Sequence, residues 1–448
     1  MEKLFGTDGV RGKANQYPIT PEMAVKIGRA VAQYFGKHST LGQQVRIGIG
    51  RDTRISGAML ESAAAAGICS AGADALFAGI IPTPGLAHII RESSLDAGIM
   101  ISASHNPFED NGLKVFGGRG YKLSDEVEQE IEALVFQEPA SGGPVGETLT
   151  LSDAEDSYAA FLQALLPGNA PLKGLRLVMD ASNGATYSVA PRVFENLGAE
   201  VFPLFVSPDG VNINVDCGSQ HPEVLQKEVL RHKANLGLAF DGDGDRLIAV
   251  DEAGNRISGD QILIICAAWL KETGRLAKNT VVSTVMSNLG FKQALNRMDI
   301  LHIAANVGDR YVLEAMQRSG SVIGGEDSGH MIFLEHHTTG DGVLSGIQLI
   351  GAMLHFQKPL SELGRMMEVF PQVLINIPVT AKPDLSTIAP VALAIDAAEK
   401  ELGDLGRILV RYSGTRPVCR VMVEGPTREI TEDTAQAIAR VVEQELGG

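Results

Sequence analysis

The sequence is poor in cysteine and aromatic residues, and it contains no long hydrophobic run. Its 448 residues include 4 cysteines and 1 tryptophan. The cysteines form no C-x-x-C pair, which argues against a zinc site or a disulfide framework and favours a reducing cytoplasm. The longest apolar stretch, Ile262 to Leu270, is too short to cross a bilayer, and the N-terminus lacks the apolar core of a signal peptide. We therefore expect a soluble cytoplasmic protein with no membrane partner.

Positive charge is also scarce. The chain has 38 lysines and arginines against 54 acidic residues, a formal net charge of -16, which argues against nucleic acid as a partner. The cations instead occur singly in glycine-containing loops, a set that comprises Arg11, Lys114, Arg246, Arg310, Arg411, Arg416 and Arg420. Any one of them could be an ordinary surface residue, but the set indicates several loops that surround one small anion.

Strands and helices alternate along most of the chain. Thr20 and Pro21 predict the start of a helix that runs to about Gly36, and apolar strands such as VRIGIGRD and DAGIMI end in polar loops. The alternation restarts after the Gly-, Pro- and Ser-rich segment 137–152, and a hairpin around YSGTRP marks a different C-terminal module. We predict an α/β protein of three similar α/β domains with mixed sheets, plus a smaller C-terminal α+β domain, with an active-site cleft at their junction. The predicted domain ranges are 1–153, 154–255, 256–368 and 369–448.

The motif SASHNP, from Ser102 to Pro107, follows a predicted buried strand. Asn-Pro disfavours helix at Asn106 and favours a turn, so Ser104 would be held out of the sheet edge, facing solvent or substrate. A serine that merely closes a turn is the commoner role for such a motif in isolation. Only the other motifs of the chain make Ser104 a candidate for chemistry.

The strongest physical signal is the segment DGDGDR, from Asp241 to Arg246. Its three carboxylates alternate with glycines that allow tight curvature, so their oxygens can converge on one hard cation such as Mg²⁺. An EF-hand loop is excluded, because Arg246 occupies the required glycine position and the preceding LGLAF predicts a strand. Three interpretations stay open: Asp241 as the nucleophile of an aspartyl phosphatase, all three aspartates as metal ligands, and a plain hairpin turn.

Five motifs occur in an order and at separations that resemble the α-D-phosphohexomutase superfamily over essentially the whole chain. They are FGTDGVRG, SASHNP, DGDGDR, GEDSGH and RYSGTRP. The stretches VNINVDCGS, NVGDRYV and TTGDG are most similar to the branch of that superfamily that acts on hexosamine phosphates. The last motif departs from the family pattern at Arg416, where the family commonly has Glu, and at Tyr412, where it most often has Pro or Lys.

The resemblance implies a role for each matching residue. Ser104 would carry a phosphoryl group, and that phosphoserine would hold one Mg²⁺ together with Asp241, Asp243 and Asp245. The other residues implied to be catalytic are Arg11, His105, Lys114, Arg246 and His330, of which Lys114 and the two histidines are the acid or base candidates. The residues implied to bind substrate are Asp309, Arg310, Glu326, Ser328, Arg411, Ser413, Gly414, Thr415 and Arg420.

The implied reaction transfers phosphate from phosphoserine to a hexosamine monophosphate and then returns the other phosphate of the 1,6-bisphosphate intermediate to Ser104. Its product would feed UDP-N-acetylglucosamine and cell-wall precursor synthesis. The resemblance implies that Ser104 is first phosphorylated, by an activating kinase or a hexose 1,6-bisphosphate primer, and it allows a homodimer. The alternatives are a phosphomannomutase or phosphoglucomutase, an aspartate-dependent phosphatase and a non-catalytic sugar-phosphate sensor.

Overall fold

The computed structural model describes residues 4–6, 8–39, 43–138, 143–413 and 417–447. The chain divides into two compact units, of which the larger comprises Met1–Val285 and Leu301–Arg365, and the smaller comprises Met286–Ile300 and Met366–Gly448. The described residues of the larger unit form three sheets, and those of the smaller unit form one. No helix in these described ranges is long and apolar enough to cross a membrane.

The first sheet has six strands, in the order β1-β5-β4-β2-β3-β6. These strands are β1 (Val10–Lys13), β2 (Arg46–Arg51), β3 (Asp74–Ile80), β4 (Ala97–Ile101), β5 (Asp110–Gly117) and β6 (Thr148–Thr150). The helices that cover this sheet are α1 (Pro21–His38), α2 (Gly57–Ser70), α3 (Thr83–Glu92) and α4 (Asp125–Val135). Side chains of β4 alternate between its two faces, because Ile99 and Ile101 pack with α1, α2 and α4 whereas Met100 packs with α3.

Helix α1 begins where the sequence predicts it. The Thr20 hydroxyl accepts a hydrogen bond from the backbone N–H of Met23, and Pro21 occupies the first turn. The helix continues slightly past the predicted end, to His38. It crosses α2 closely at Gly28 and Gly67, where an added methyl carbon would come within 2.2 and 2.0 Å of backbone oxygens of the facing helix.

The second sheet has five strands, in the order β11-β10-β9-β7-β8. These are β7 (Arg176–Asp180), β8 (Glu200–Leu204), β9 (Leu236–Phe240), β10 (Leu247–Asp251) and β11 (Arg256–Ile257). The helices of this region are α5 (Ala154–Ala164), α6 (Val189–Asn196) and α7 (Glu223–His232). Strand β7 runs parallel to β8 and β9, whereas β10 runs antiparallel to β9 and β11.

The third sheet has four strands, in the order β13-β12-β14-β15. These are β12 (Thr280–Thr284), β13 (Leu301–Ala305), β14 (Ile323–Gly325) and β15 (Met331–Phe333). The accompanying helices are α8 (Gly259–Glu272), α10 (Asp309–Ser319), α11 (Gly342–Phe356) and α12 (Leu360–Gly364). This sheet is mixed as well, because β15 runs antiparallel to β14 while β12 is parallel to β13 and β14.

The smaller unit contains an antiparallel sheet in the order β16-β18-β17. Its strands are β16 (Gln372–Pro378), β17 (Arg407–Tyr412) and β18 (Val418–Glu424). Its helices are α9 (Leu289–Arg297), α13 (Ala389–Leu402) and α14 (Arg428–Leu446). Val421 and Val423 of β18 pack against Ile438 and Val442 of α14 in its core.

The predicted fold class is confirmed, since three mixed α/β sheets precede a smaller antiparallel module. VRIGIGRD and DAGIMI correspond to β2 and β4, and the predicted hairpin corresponds to β17 and β18. The segment 137–152, which the sequence indicates only as the end of a unit, also supplies strand β6, which pairs in parallel with β3. The four domain boundaries stay a prediction.

Candidate active site

Ser104 lies in the loop that follows β4, and its backbone φ is 53°. Its hydroxyl donates a hydrogen bond to Asp241 Oδ2 at 2.6 Å and lies 3.3 Å from His105 Nδ1. Ser104 is only 1% exposed, so of the two predicted orientations, towards solvent or towards substrate, the solvent-facing one is excluded. The loop after β9 covers it so closely that a side chain at Gly242 would come within 2.5 Å of the Ser104 carbonyl oxygen.

Asp241, Asp243 and Asp245 converge in that covering loop. All three are buried, and one ligand oxygen from each lies within 4.8 Å of the others. Asp243 Oδ1 and Asp245 Oδ1 are buried without a hydrogen-bond partner in the described part of the chain. Burial raises the pKa of the Asp241 carboxyl well above its usual value, and the charges of Asp245 and Asp243 raise it further. A converging set of uncompensated carboxylate oxygens fits a hard divalent cation such as Mg²⁺.

Lys114 reaches this cluster from β5. Its Nζ lies 2.7 Å from Asp243 Oδ2 and 3.3 Å from Asp8 Oδ2. Burial alone would lower the pKa of Lys114, but the carboxylates of Asp243 and Asp8 raise it above its ordinary value. Lys122 extends the same ionic network by pairing with both Asp8 and Asp309. Buried Lys114 thus neutralises part of the charge of the aspartate cluster, and half-buried Lys122 pairs with the two neighbouring aspartates, Asp8 and Asp309.

His105 and His330 differ in their surroundings. His105 Nδ1 lies 3.1 Å from Arg246 Nη1, and burial followed by the charges of Arg246 and Arg11 lowers the pKa of His105 to about 4. His330 is buried, and neither of its ring nitrogens has a hydrogen-bond partner among the described residues. Its Nε2 lies 3.9 Å from Asp309 Oδ2 and 4.0 Å from Asp245 Oδ2. His330 is therefore the histidine whose nitrogens are available to a ligand.

Two arginines that were predicted to be catalytic, Arg11 and Arg246, lie beside the serine loop. Arg11 donates to the carbonyl oxygen of Ala103 at 3.4 Å and pairs with Asp8. The backbone N–H of Arg246 donates to Asp241 Oδ1 at 3.2 Å. The structure thus brings Ser104, its histidine neighbour, both arginines, Lys114 and the three aspartates into one cluster.

The third sheet contributes the GEDSGH loop beside this cluster. Glu326 accepts a hydrogen bond from the backbone N–H of Gly308 at 3.1 Å, and Glu326 and Ser328 are both half-buried. The Arg310 guanidinium is already engaged, because it pairs with Asp125 and lies 2.8 Å from Glu128 on α4. The contacts of Arg310 are therefore with helix α4, and none of its ion pairs reaches the aspartate cluster.

A cavity of about 620 Å³ adjoins His330. Its polar lining includes Lys122, Asp309, Arg310, His330, Thr338 and Thr339. Thr338 donates to the carbonyl oxygen of Gly120 at 2.6 Å, which ties the third sheet to the hairpin after β5. This cavity is large enough for a sugar-sized ligand next to the histidine with free nitrogens.

The RYSGTRP motif lies in the smaller unit. Arg411 on β17 and Arg420 on β18 are directly paired in the strand register, and burial together with the Arg420 charge lowers the pKa of Arg411. Ser413 is buried, and its carbonyl oxygen accepts a hydrogen bond from Lys382 Nζ at 2.6 Å. Two adjacent guanidinium groups favour an anionic ligand. Gly414, Thr415 and Arg416 lie outside the described residues.

Sequence reasoning missed two charged pairs of this site. Asp8 and Lys122 join the ionic network, and Asp52 and Arg54 form a fully buried ion pair beneath the serine loop. A signal was present for each pair. Asp8 is part of FGTDGVRG, Lys122 directly follows a glycine-containing hairpin, and Arg54 lies in a polar segment after a buried strand.

Models of one family match four consecutive parts of the chain. They describe domains I, II and III and the C-terminal domain of phosphoglucomutase/phosphomannomutase, over residues 2–141, 156–254, 258–370 and 374–441. The phosphoglucosamine mutase of Syntrophus aciditrophicus is 54% identical over 452 residues, which cover 100% of each chain.

Solved structures share the fold. A phosphoglucomutase/phosphomannomutase family protein from Burkholderia thailandensis has a TM-score of 0.81 at 23% identity, covering 99% of this chain and 98% of the other. An N-acetylphosphoglucosamine mutase from Aspergillus fumigatus, solved with GlcNAc-6P and magnesium, has a TM-score of 0.69 at 17% identity, covering 98% and 95%.

A buried hydroxyl beside converging carboxylates and fixed cations is suited to phosphoryl transfer, because that reaction depends on positioning and charge neutralisation. The relative from Syntrophus aciditrophicus, a phosphoglucosamine mutase, aligns with the whole of this chain. The chain belongs to the phosphoglucosamine mutase family, and it is an isomerase.

Proposed function

We propose that this enzyme interconverts glucosamine 6-phosphate and glucosamine 1-phosphate through a phosphate carried on Ser104. The observation that carries the proposal is the 2.6 Å hydrogen bond from the Ser104 hydroxyl to Asp241 within the buried aspartate cluster. The full-length relative named phosphoglucosamine mutase supports the substrate class. The product would then serve UDP-N-acetylglucosamine and cell-wall precursor synthesis.

The proposed reaction consists of two successive phosphoryl transfers. In the first, the bond between phosphorus and Ser104 Oγ breaks while a bond to the free C1 or C6 oxygen of the sugar forms, and the sugar hydroxyl releases one proton. Ser104 Oγ takes up a proton, which gives a 1,6-bisphosphate and unmodified Ser104. In the second, the bond between the other phosphorus and its sugar oxygen breaks as Ser104 Oγ bonds to that phosphorus, the serine hydroxyl loses its proton, and the freed sugar oxygen gains one. The net result is movement of the sugar's phosphate between C6 and C1.

Asp241, Asp243 and Asp245 are the residues that would hold Mg²⁺ together with the phosphate on Ser104. When bound, Mg²⁺ would neutralise negative charge on the phosphoryl oxygens. Arg11, Lys114 and Arg246 would contribute fixed positive charge around the same oxygens. Of the acid or base candidates, His330 has both ring nitrogens without a hydrogen-bond partner in the described part of the chain, so we assign it the transfer of the sugar proton.

The remaining residues would hold the sugar and its second phosphate. Glu326 and Ser328 would bind the hydroxyl edge of the ring, and Asp309 lies beside His330 in the adjoining cavity. The second phosphate would be bound by Arg411, Ser413, Gly414, Thr415 and Arg420. Arg310 is a weaker candidate for direct contact, because its guanidinium already pairs with Asp125 and Glu128.

Activity would require prior phosphorylation of Ser104, by an activating kinase or by a hexose 1,6-bisphosphate. We propose a cytoplasmic location, since the four cysteines are free and buried in the described structure. A homodimer is compatible with the proposal, and the chemistry does not depend on it.

The decisive experiment compares turnover of glucosamine, glucose and mannose monophosphates by the purified enzyme, with Mg²⁺ and a hexose 1,6-bisphosphate present. We expect the highest kcat/KM for glucosamine phosphate and no turnover by Ser104→Ala. Higher kcat/KM for glucose or mannose phosphate would contradict the proposed substrate. Absence of turnover on all three would favour a non-catalytic sensor.

The phosphorylated protein separates the mutase from the aspartyl phosphatase. An acyl phosphate on Asp241 would be labile to acid and to hydroxylamine, whereas phosphoserine is stable to both. We expect a phosphate that survives both treatments and maps to Ser104 by mass spectrometry. A hydroxylamine-labile phosphate on Asp241 would contradict the proposal.

A further inference from the structure

The serine loop rests on one fully buried arginine. Arg54 follows β2, and its side chain and that of Asp52 are 0% exposed. Arg54 Nη2 donates to the carbonyl oxygens of Ser104 at 2.9 Å and Asn106 at 2.8 Å. Its Nη1 donates to the carbonyl oxygen of Asp110 at 3.0 Å and also to that of Pro107. A single guanidinium thus binds four carbonyl oxygens of the loop and of the start of β5.

Asp52 fixes the orientation of that guanidinium. Its Oδ2 accepts a hydrogen bond from Arg54 Nε at 2.8 Å and another from the Ser102 hydroxyl at 2.6 Å. The Ser102 hydroxyl in turn accepts from the backbone N–H of Ser104 at 2.9 Å. The Ser102 hydroxyl therefore holds the N–H of Ser104, and Arg54 holds its carbonyl oxygen. Both of these side chains are hydrogen-bonded to Asp52.

A residue from the region of the second sheet makes a matching contact. Asn214, in the VNINVDCGS motif, donates through Nδ2 to the carbonyl oxygens of Ser104 at 2.9 Å and Asn106 at 3.0 Å. These are the same two oxygens that Arg54 Nη2 binds. Asn214 itself has a φ of 61° and is anchored by its backbone N–H to the carbonyl oxygen of Ser182.

The backbone of Ser104 explains why such a clamp is needed. Its φ of 53° is a left-handed conformation that residues other than glycine, asparagine and aspartate seldom adopt. Such a conformation persists only where the surrounding structure imposes it. It also directs the Ser104 hydroxyl at Asp241.

We infer that Arg54 and Asn214 are positioning residues for phosphoryl transfer, which hold Ser104 in the conformation that aims its oxygen at the aspartate cluster. Neither side chain contacts the Ser104 hydroxyl, so both act through the loop backbone. The inference rests on the proposed function of Ser104, and it assigns a catalytic consequence to two residues outside the transfer machinery described above.

Arg54→Lys tests the clamp, because lysine keeps the charge that pairs with Asp52 but lacks the planar fork that binds several oxygens at once. We expect kcat to fall about 100-fold with KM changed less than about threefold, since a misplacement of about 1 Å can have that effect on a transfer step. Hydrogen–deuterium exchange of the peptide covering 102–112 should become faster. The matched control is Arg46→Lys at the other end of β2, where the guanidinium donates a 3.4 Å hydrogen bond to the carbonyl oxygen of Ser93.

Asn214→Gly is a second test variant. The backbone at this position need not rearrange, because glycine tolerates its positive φ. It should lower kcat about 10-fold, a smaller effect because Arg54 still holds the shared oxygens. The inference would be overturned if the variants raised KM alone. It would also be overturned if their kcat and the hydrogen–deuterium exchange rate of the 102–112 peptide equalled those of the Arg46→Lys control. If the wild-type enzyme has no mutase activity, the proposed function fails, and the exchange rates still decide whether the two residues order the loop.

Discussion

The Ser104 hydroxyl donates a 2.6 Å hydrogen bond to Asp241 Oδ2, although the two residues lie 137 positions apart and follow strands of different sheets. Both residues are 1% exposed. The contact therefore depends on the packing of the first sheet's serine loop against the second sheet's aspartate loop. It joins the two groups on which the proposed phosphoryl transfer depends.

Substitution of one aspartate tests whether the aspartate cluster binds Mg²⁺. Asp243→Asn is expected to weaken Mg²⁺ binding at least about 10-fold, because it removes a charged oxygen from a site with three carboxylates. It also removes one of the carboxylates that pair with buried Lys114, which keeps Asp8 as a partner. Isothermal titration with MgCl₂ measures the affinity, and Asp433→Asn on the exposed surface of α14 is the control. Unchanged affinity in Asp243→Asn would contradict the assignment of this residue as a ligand.

Lys122→Met should lower the free energy of unfolding by about 2 to 3 kcal/mol at pH 7, because it leaves Asp8 and Asp309 without their shared ammonium. Burial would raise the pKa of Asp309, but Lys122 holds it below its usual value. The variant should therefore recover part of its stability at pH 5, where carboxylates with raised pKa values become protonated. Urea unfolding at both pH values measures this difference.

The control for Lys122→Met is Lys358→Met, which removes a surface ion pair with Glu362 that is half exposed. Such pairs contribute at most about 1 kcal/mol. Equal losses of stability in the two variants, or a loss in Lys122→Met that does not depend on pH, would show that the buried network does not carry the expected charge.

His337 should make the protein less stable in acid. Burial, followed by the charges of His88 and Arg91, lowers the pKa of His337 to about 3. The unfolded chain takes up a proton at about pH 6.5, whereas the folded protein does not, so stability is lost as the pH falls from about 6.5 towards 3. This group alone contributes a slope of about 1.4 kcal/mol per pH unit within that range.

His337→Asn should flatten the pH dependence of the unfolding midpoint between pH 6.5 and 4.5. The control is His38→Asn, which changes an exposed ring at the end of α1. An unchanged slope in His337→Asn would mean that the imidazole is protonated in the folded state.

Gly340→Ala should impair turnover through His330. A methyl carbon at Gly340 would lie 2.4 to 2.6 Å from three atoms of the His330 ring, so the imidazole must move. We expect kcat to fall at least about 10-fold, because a displaced acid or base loses its alignment. Gly36→Ala in α1 is the control, since nothing lies within 4 Å of its added carbon. Wild-type kcat in Gly340→Ala would argue against His330 as the proton carrier.

Arg416→Glu is a prediction that rests on the sequence, because Arg416 lies outside the described residues. It restores the residue that the family commonly has there. We expect KM to change with little effect on kcat, because the loop would bind the phosphate that is not reacting. An equal fall in kcat would contradict that role. Steady-state kinetics on glucosamine phosphate distinguish the two results.

The strand and helix pattern was predictable because it depends on local signals. Thr20 and Pro21 marked the start of α1, and the apolar runs before SASHNP and DGDGDR became the buried strands β4 and β9. The spacing of Asp241, Asp243 and Asp245 was enough to predict that their oxygens converge. These features involve residues close together in the chain, whose geometry the backbone restricts directly.

The charged network was not predictable, because its members come from distant segments. Nothing in the local sequence pairs Lys122 with Asp309, or directs Arg310 to Glu128. The same limit applies to Ser104, whose hydroxyl the sequence predicted to face either solvent or substrate. Its burial follows from the covering loop at Gly242, more than 100 residues away.

The sequence by itself therefore determined the fold class, the family resemblance and the chemical types of the candidate residues, because periodicity, turn residues and motifs are local properties. Only the tertiary structure decided which charges neutralise one another, which histidine keeps free nitrogens and how Arg54 and Asn214 hold the serine loop. Those outcomes depend on burial and on contacts between sheets. Burial raises the free-energy cost of a charged side chain, and the folded structure decides which partner neutralises that charge. Neither can be read from a single position of the sequence.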